Sequence, residues 1–235
     1  MANPVKTAWI QVSGTAGTFD AFLALPPAGH GPGLVLFEEI FGVNEHIRAV
    51  AEQYALDGFV VLAPDLFWAQ QRRVELGYEG DDMQRAMTLM NGADPAALLR
   101  DMGDTVAALR ARPEVGGRKV GACGYCMGGR LAYLAAATAG VDAAVAYYGG
   151  GIHNQLDMAA RIACPVMFHF GELDPHIPLE AVDKVRAAMA GKQAQVHVYP
   201  GANHGFNCWA RGSYHAPSAA LAHGRSLQFL ATQLF

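Results

Sequence analysis

Short, uninterrupted apolar runs recur along the chain between longer amphipathic stretches, and they constrain the fold more than any other feature. The runs GLVLF at 33–37 and FVVLAPD at 59–65 show no alternation of polar and apolar residues. Such runs are typical of strands that are covered on both faces. Because stretches of helical length separate them, the sequence predicts an α/β fold with a mostly parallel central sheet and helices on both faces.

Turn and capping residues indicate where the other elements begin. Two runs at 6–12 and 19–25, joined by a glycine-containing turn, predict an antiparallel start. Asn44 and Asp94 are suited to cap helices, and the polar stretch 66–82 is interpreted as a surface excursion. Further strands are predicted from 119, 143, 165 and 195, and helices over 44–56, 95–112, 127–139 and 178–190, with others from about 81 and about 217.

Length and composition favour one domain with a large core. The chain has 235 residues, of which 52% are hydrophobic and 16% are charged. This composition supplies ample apolar material for one core and shows no sign of disorder. Because no repeat or linker interrupts the pattern, residues 1–235 are predicted to form a single domain.

Charge, hydropathy and cysteine usage argue against several classes of protein. The formal net charge of −4 argues against a nucleic-acid partner, which requires a basic face. No apolar run approaches the roughly 20 residues that cross a bilayer, and the start MANPVKTAWIQVSG lacks a signal-peptide pattern. Four cysteines without an export signal indicate reduced thiols. We therefore expect a cytoplasmic protein without a membrane partner, monomeric or weakly homo-oligomeric.

The stretch GACGYCMGGR, which contains Cys126, has the spacing of a hydrolase nucleophile turn with cysteine in the place of serine. Its position between a strand and a helix is where ligands bind in parallel α/β sheets. Gly124 and Gly128 allow a tight turn, and the amide of Met127 is suited to an oxyanion hole. Two alternatives stay open: a buried apolar Cys126, and a redox pair with Cys123, which the strand position of Cys123 disfavours.

His204 and Asp174 are the predicted partners of this thiol. A free thiol is mostly protonated at neutral pH, so a nucleophilic cysteine needs a base. His204 lies in the glycine-flanked loop PGANHGF after the last strand, and Asp174 follows the strand before it. Glu172 competes with Asp174, whose alternative role is a helix cap or an Asx turn. The order Cys126, Asp174, His204 is that of nucleophile, acid and histidine in α/β-hydrolases.

The other histidines and cysteines lack this context. His169 lies in the middle of the run VMFHF and is interpreted as a core histidine with satisfied hydrogen bonds. His197 alternates with two valines, so it is predicted to face out of its strand. The three remaining cysteines, Cys123, Cys164 and Cys208, are interpreted as structural.

Two carboxylates, Glu38 and Glu39, follow an apolar strand directly. Solvation is the usual fate of a glutamate, so one of them needs no special role. The alternative is a partly desolvated carboxylate that reaches the nucleophile from the neighbouring strand end. In that arrangement the amide of Ile40 is the second oxyanion donor.

Six features stand out together: EIFGVN at 39–44, APDLF at 63–67, GYCMGG at 124–129, YYG at 147–149, the turn at Asp174 and the NHGF loop at 203–206. In combination they resemble the dienelactone hydrolase family, that is, carboxymethylenebutenolidase-like enzymes. The resemblance covers nearly the whole chain and includes the unusual cysteine, so it is more specific than the nucleophile turn alone.

The resemblance implies an α/β-hydrolase fold and a triad of Cys126, Asp174 and His204. It also selects Glu39 over Glu38, because the glutamate that opens EIFGVN in this family contacts the thiol of the resting enzyme. Substrate binding then displaces that glutamate, which helps to generate the thiolate.

The same resemblance implies how the reaction proceeds. The amides of Ile40 and Met127 would stabilise the oxyanion. The implied reaction is hydrolysis of an ester or lactone, in which the thiolate attacks, an acyl-cysteine forms and a water activated by the histidine releases the product. No metal or cofactor is implied, and the expected partner is a small ester or lactone.

The sequence departs from the family pattern where the substrate is held. Members that act on dienelactone bind its carboxylate with two arginines, and here the second position is Cys208, followed by Trp209. In the first segment Met83 and Met87 stand near the matching places, with Arg85 between them. An aromatic ring and a thiol at the pocket rim favour a less charged, bulkier substrate. The candidate substrate-binding residues are Trp209, Tyr148, Arg85 and Trp68, and the arginines that could substitute are Arg211, Arg72 and Arg73.

Three functions remain to be distinguished. The first is a cysteine-dependent hydrolase of lactones or small esters. The second is a thiol redox protein that uses Cys123 and Cys126, and the third is a small-molecule-binding member of the fold without catalytic activity. The set of four candidate residues, Glu39, Cys126, Asp174 and His204, favours the hydrolase.

Overall fold

The computed structural model describes residues 4–235. The first three residues of the start MANPVKTAWIQVSG, which lacks a signal-peptide pattern, lie outside the described part. The strands are β1 Lys6–Gly14, β2 Gly17–Leu25, β3 Gly33–Phe37, β4 Val60–Pro64, β5 Val120–Tyr125, β6 Ala143–Tyr147, β7 Val166–Gly171 and β8 Ala194–Tyr199. The α-helices are α1 Glu45–Leu56, α2 Gly80–Gly92, α3 Pro95–Arg110, α4 Met127–Thr138, α5 Leu179–Ala188 and α6 Ala216–Leu234. Two short 3₁₀ segments, Ile152–Asn154 and Leu156–Arg161, were not predicted.

The strands form an eight-stranded sheet in the order β1-β2-β4-β3-β5-β6-β7-β8. Strand β2 pairs antiparallel with β1 and β4, whereas β3 with β4, β6 with β7 and β7 with β8 pair in parallel. The predicted α/β fold with a mostly parallel sheet and an antiparallel start is therefore confirmed.

By their internal contacts, the residues divide into two compact units, Met1–Gly121 and Ala122–Phe235. We describe each unit by itself, and the single domain expected from the sequence stays a prediction. The strands β3 and β4 of the first unit are buried at every position, as their uninterrupted apolar sequences require.

The helix caps of the first unit confirm the capping predictions. The side chain of Asn44 accepts a hydrogen bond from the amide of Ile47 at the start of α1, and Asp94 accepts one from Ala96 at the start of α3. Each cap satisfies an amide that the first helical turn leaves without a backbone acceptor.

The interpretation of residues 66–82 as a surface excursion is wrong in part. Leu66, Phe67 and Val74 are buried, with exposed fractions of 4%, 1% and 0%. The carboxylate of Asp65 accepts hydrogen bonds from the amides of Phe67 and Arg73. These two hydrogen bonds fold the segment back onto the core. The apolar side chains between the polar ones can thereby pack inward.

The second unit places two loops, those that follow β7 and β8, at the same edge of its sheet. Tyr147 in β6 lies opposite His169 in β7, and Gly171 in β7 lies opposite Tyr199 in β8. Because the carboxyl ends of parallel strands meet at one edge, the loops that follow β7 and β8 lie side by side. The register of the strands therefore positions the segments that carry Asp174 and His204.

Gly129 allows α4 to lie directly against the end of β6. A Cβ atom added at this glycine would lie 2.3 Å from the carbonyl oxygen of Tyr147 and 3.1 Å from Cα of Gly149. Both neighbours are backbone atoms, which cannot rotate away. The close approach of helix and strand beside Cys126 therefore requires a glycine.

We expect Gly129→Ala to lower the free energy of unfolding by about 3 kcal/mol, because the new methyl group overlaps backbone. Gly224→Ala in α6 is the matched control, since nothing lies within 4 Å of an added Cβ there. That control should raise the free energy of unfolding by about 0.5–1 kcal/mol, the usual cost of a helical glycine. Urea unfolding measures both values, provided that the dependence of the unfolding free energy on urea concentration is the same in the two variants. Similar unfolding midpoints for the two variants would contradict the backbone overlap.

Candidate active site

Cys126 stands at the sharp turn between β5 and α4. Its backbone angles are φ 55° and ψ −115°, in the region where non-glycine residues are strained. Its amide donates to the carbonyl oxygen of Tyr147 at 3.0 Å, and its carbonyl accepts from Arg130 at 3.2 Å. The side chain is partly exposed, whereas that of Cys123 is fully buried. The turn thus presents the sulfur of Cys126 and keeps that of Cys123 in the core.

Met127 is the first residue of α4 and is 3% exposed. An amide in this position has no acceptor within its own helix. The positive end of the helix dipole lies at the same place and favours negative charge on a neighbouring atom. The amide of Met127 is therefore available for a negatively charged oxygen at the turn.

Asp174 and His204 meet across the loops that follow β7 and β8. Nδ1 of His204 and Oδ2 of Asp174 are 2.7 Å apart. Asp174 is 3% exposed and His204 is 9% exposed, so water screens the pair weakly. The other carboxylate oxygen, Oδ1, accepts from the amide of His176 at 2.8 Å. Asp174 therefore forms the Asx turn considered as its alternative role and orients the imidazole as well.

Glu172, the competing acid, lies outside this pair. Its Oε2 accepts from the amide of Gly201 at 2.9 Å, and its side chain is exposed. This contact joins the loop after β7 to the turn after β8. The structure thus places Asp174, and not Glu172, beside His204.

The second hydrogen bond of His204 reaches Cys126. Burial lowers the pKa of His204, but side-chain hydrogen bonds with Asp174 and Cys126 and the charges of both outweigh it, so the pKa rises to about 10. Because Nδ1 already binds Asp174, the remaining ring nitrogen, Nε2, is the one that faces the sulfur. The imidazole is therefore protonated at neutral pH and places a positive charge beside the sulfur.

We expect the imidazole of His204 to titrate near pH 10 in nuclear magnetic resonance spectra of ¹⁵N-labelled protein, far above the ordinary value of 6.5. A raised pKa means that this proton stabilises the folded state fully below pH 6.5 and loses that contribution as the pH rises toward 10. In Cys126→Ala the midpoint should fall, because two of the raising contributions are removed. An unchanged midpoint in that variant would show that the sulfur does not interact with the ring.

Aromatic rings surround the imidazole and limit its movement. The ring centroids of Tyr148 and His204 are 5.1 Å apart in a T-shaped arrangement, and Phe206 lies 5.5 Å from Tyr148. His176 forms a second T-shaped contact with His204, also at 5.1 Å. His176 was not among the predicted site residues, although it follows Asp174 by two positions and its amide closes the turn that Asp174 forms.

The two strand histidines behave differently from His204. His169 is fully buried, with Tyr199 at 2.8 Å from Nδ1 and Ser226 at 2.8 Å from Nε2. The interpretation of His169 as a satisfied core histidine is confirmed. His197 is only partly exposed and stacks on His169 at 5.6 Å, so it covers the core histidine instead of pointing freely outward.

Four of the residues considered for substrate binding belong to this unit. Trp209 is 47% exposed, whereas Tyr148 is fully buried. Cys208 is also fully buried, so the expectation of a thiol at the pocket rim is wrong: the loop after His204 folds Cys208 inward. The guanidinium of Arg211 covers Gly205, where an added Cβ would meet its Nη1 at 2.6 Å.

The other candidate residues lie in the first unit. Glu39 and Ile40 are buried, with exposed fractions of 1% and 6%. Arg85 is exposed and donates to Gln71, and the indole Nε1 of Trp68 donates to Asp101 at 2.7 Å. Two of the arginines considered as substitutes, Arg72 and Arg73, bind Thr18 and Asp20 respectively. The roles of Glu39, Ile40, Arg85 and Trp68 stay predictions.

Between residues 4 and 235, no group of three or more His, Cys, Asp or Glu side chains is arranged to hold a metal ion. None of the helices in this range combines the length and the apolar composition that a bilayer crossing requires.

The chain is similar to known proteins over nearly its whole length. The profile of the Dienelactone hydrolase family matches residues 19–234. A protein of Azospirillum brasilense with the provisional name carboxymethylenebutenolidase is 38% identical over 229 residues, which are 94% of this chain and 96% of that protein. The carboxymethylenebutenolidase of Pseudomonas putida is 36% identical over 217 residues, which are 91% of each chain. A crystal structure provisionally identified as a dienelactone hydrolase of Klebsiella pneumoniae has a TM-score of 0.85 at 30% identity and covers 97% of this chain and 98% of that one.

Proposed function

Since this chain belongs to the dienelactone hydrolase family, we propose that it cleaves a lactone or small ester through a covalent acyl intermediate on Cys126. The observation that carries the proposal is the unbroken series of hydrogen bonds from Asp174 through His204 to Cys126. A nucleophile, a base and an orienting acid in this order are the parts that acyl transfer requires.

The reaction begins with a thiolate on Cys126 and a protonated His204. The sulfur attacks the carbonyl carbon, a C–S bond forms, and the carbonyl electron pair moves onto oxygen. The amide of Met127, at the positive end of α4, donates to that oxyanion. When the intermediate collapses, the C–O bond breaks and the alcohol oxygen takes the proton from Nε2 of His204.

Hydrolysis of the acyl-cysteine then restores the enzyme. His204, now neutral, removes a proton from a water molecule, and the resulting hydroxide adds to the acyl carbon. The C–S bond breaks, the acid leaves, and the sulfur departs as thiolate beside the protonated imidazole. Asp174 keeps Nδ1–H of His204 in place through both steps, so Nε2 always faces the reacting atoms.

Glu39 and Ile40 complete the proposal as the resemblance implies it. Glu39 would hold the resting thiol until substrate displaces it, and the amide of Ile40 would be the second oxyanion donor. Their burial is compatible with a desolvated setting in which such contacts are strong. The absence of a metal or cofactor, the cytoplasmic location and a monomeric or weakly oligomeric state stay predictions as well.

We propose an uncharged lactone or ester as the preferred substrate. The named relatives include carboxymethylenebutenolidases, but Cys208 stands where dienelactone-hydrolysing members carry an arginine, and it is buried. Exposed apolar side chains close to the triad in sequence, Leu173 and Trp209, suit an apolar acyl group. Arg211, which covers Gly205 in the loop of His204, is a cation that could bind a substrate carboxylate.

The covalent step has a direct test. We expect intact-protein mass spectrometry, after rapid mixing with p-nitrophenyl acetate and acid quenching, to show one added acetyl group that peptide mapping assigns to Cys126. A panel of paired lactones and esters, with and without a carboxylate near the scissile bond, should show higher kcat/KM for the uncharged member. Hydrolysis without any acyl-cysteine would contradict the intermediate, and a preference for the carboxylate would contradict only the substrate class.

A further inference from the structure

A hollow of about 260 Å³ lies between β7, the edge strand β8 and the C-terminal half of α6. None of the residues that line it belongs to the candidate active site. Buried Met167 and Phe229 supply its apolar surface. The polar lining includes Gln195, His197, Arg225 and Gln228. The size and the mixed lining suit a small molecule that has both polar and apolar parts.

The elements that form this hollow carry no acidic residue. The sequences of β7, β8 and α6 are VMFHFG, AQVHVY and APSAALAHGRSLQFLATQL, and they contain neither Asp nor Glu. Arg225 is therefore the residue that determines the charge of the hollow. An acid-free wall is notable in a chain whose net charge is −4.

Arg225 is partly buried and lacks the usual counterion. Its Nη1 donates to the hydroxyl oxygen of Tyr199 at 3.2 Å, and its guanidinium lies 5.5 Å from the centre of that ring. Within residues 4–235, no carboxylate forms an ion pair with it. A guanidinium has five N–H donors, so most of them remain available for a ligand in the hollow.

A buried network holds this guanidinium in position. The hydroxyl oxygen of Tyr199 accepts from Arg225 and also lies 2.8 Å from Nδ1 of His169. Nε2 of His169 forms a hydrogen bond with the hydroxyl of Ser226 at 2.8 Å, and the hydroxyl groups of Ser226 and Tyr147 are 2.7 Å apart. Each link is fixed by the next one, so the cation is preorganised before any ligand arrives.

His197 adds a second unused polar atom to the same wall. Its Nε2 is buried and has no hydrogen-bond partner within the described residues. Burial and then the charge of Arg225 lower the pKa of His197, so the ring is neutral at pH 7 and can donate one hydrogen bond. An unpartnered buried polar atom costs free energy, which a ligand would recover.

We propose that this hollow is a second ligand site that binds a small molecule with one anionic group, a carboxylate or a phosphate, paired with Arg225. The C-terminal end of α6 carries partial negative charge, so the anionic group lies at Arg225 and the uncharged part extends toward Thr232. Gln195 and Gln228 flank the hollow and donate to that part. This site is independent of the proposed hydrolytic reaction.

Titration calorimetry with inorganic phosphate and, separately, with butyrate at constant ionic strength tests the site. We expect saturable binding of at least one of the two anions. Saturation by phosphate or by butyrate identifies the anionic group as a phosphate or a carboxylate, respectively. Saturation should shift the ¹⁵N resonances of the His197 ring, which locates the ligand in the hollow. Arg225→Gln should weaken binding by about tenfold or more, since a charge-assisted contact is lost.

Gln228→Glu provides a second variant in case Arg225→Gln disturbs Tyr199. Gln228 is exposed and lies three residues after Arg225 on the helix, so a carboxylate there would occupy the guanidinium and compete with the anion. The controls are Arg186→Gln and Gln53→Glu, which change charge elsewhere on the surface and should bind as the wild type does. Absence of saturable binding for both anions, or equal binding by the wild type and both hollow variants, would overturn the proposal.

Discussion

Cys126→Ala is expected to lower kcat for p-nitrophenyl acetate by at least about 10⁴-fold, because the variant has no atom that can form the acyl intermediate. The main-chain hydrogen bond between the amide of residue 126 and Tyr147 does not involve the sulfur, so the turn should persist. The unfolding midpoint should therefore stay close to that of the wild type. Steady-state assays measure the residual kcat of the variant. Active-site titration then shows whether that residual activity belongs to the variant or to a small contamination by wild-type enzyme.

The other thiols of the same unit are the matched controls. Cys164→Ala removes a half-buried thiol whose pKa burial raises, and Cys123→Ala removes a fully buried one. Both variants should keep kcat within about threefold of the wild type, because Cys123 is closed off in the core and burial raises the pKa of Cys164, so neither thiol is suited to attack a substrate. A large loss of turnover in Cys123→Ala, with folding intact, would instead favour the redox pair of Cys123 and Cys126.

The strands and helices could be predicted because their signals are local. Uninterrupted apolar runs identified β3 and β4, and Asn44 and Asp94 identified the starts of two helices. The residues of the candidate triad could be predicted from their order along the chain and from their positions after strands. Parallel strands bring such positions to one edge of a sheet whatever the details of packing.

Features that depend on side-chain direction could not be predicted. The burial of Cys208 and the contact of His176 with His204 depend on how two loops fold over each other. Ser226 binds His169 across 57 positions of sequence, and no short pattern indicates a pairing of that range. The sequence therefore indicated the candidate residues, and only the structure shows which contacts hold them in place.

Asp174→Asn is the second change with a large expected effect, a fall in kcat of about 10³–10⁴-fold. The reason lies in the two oxygens of Asp174. One accepts from the amide of His176, and the other binds Nδ1 of His204. An asparagine keeps its oxygen on the His176 amide, because its NH₂ group would face another donor there. The NH₂ group then donates to Nδ1, the proton moves to Nε2, and the imidazole loses the lone pair that must accept a proton.

Glu172→Gln is the control that separates orientation from charge. It removes a carboxylate from the same loop, and the amide oxygen of the glutamine can still accept the hydrogen bond from the Gly201 amide. We expect kcat within about threefold of the wild type for this variant. Steady-state kinetics over a range of pH would compare the two. Similar losses in both variants would mean that the loop needs negative charge and that Asp174 does not orient His204, whereas a loss confined to Asp174→Asn follows from the tautomer alone.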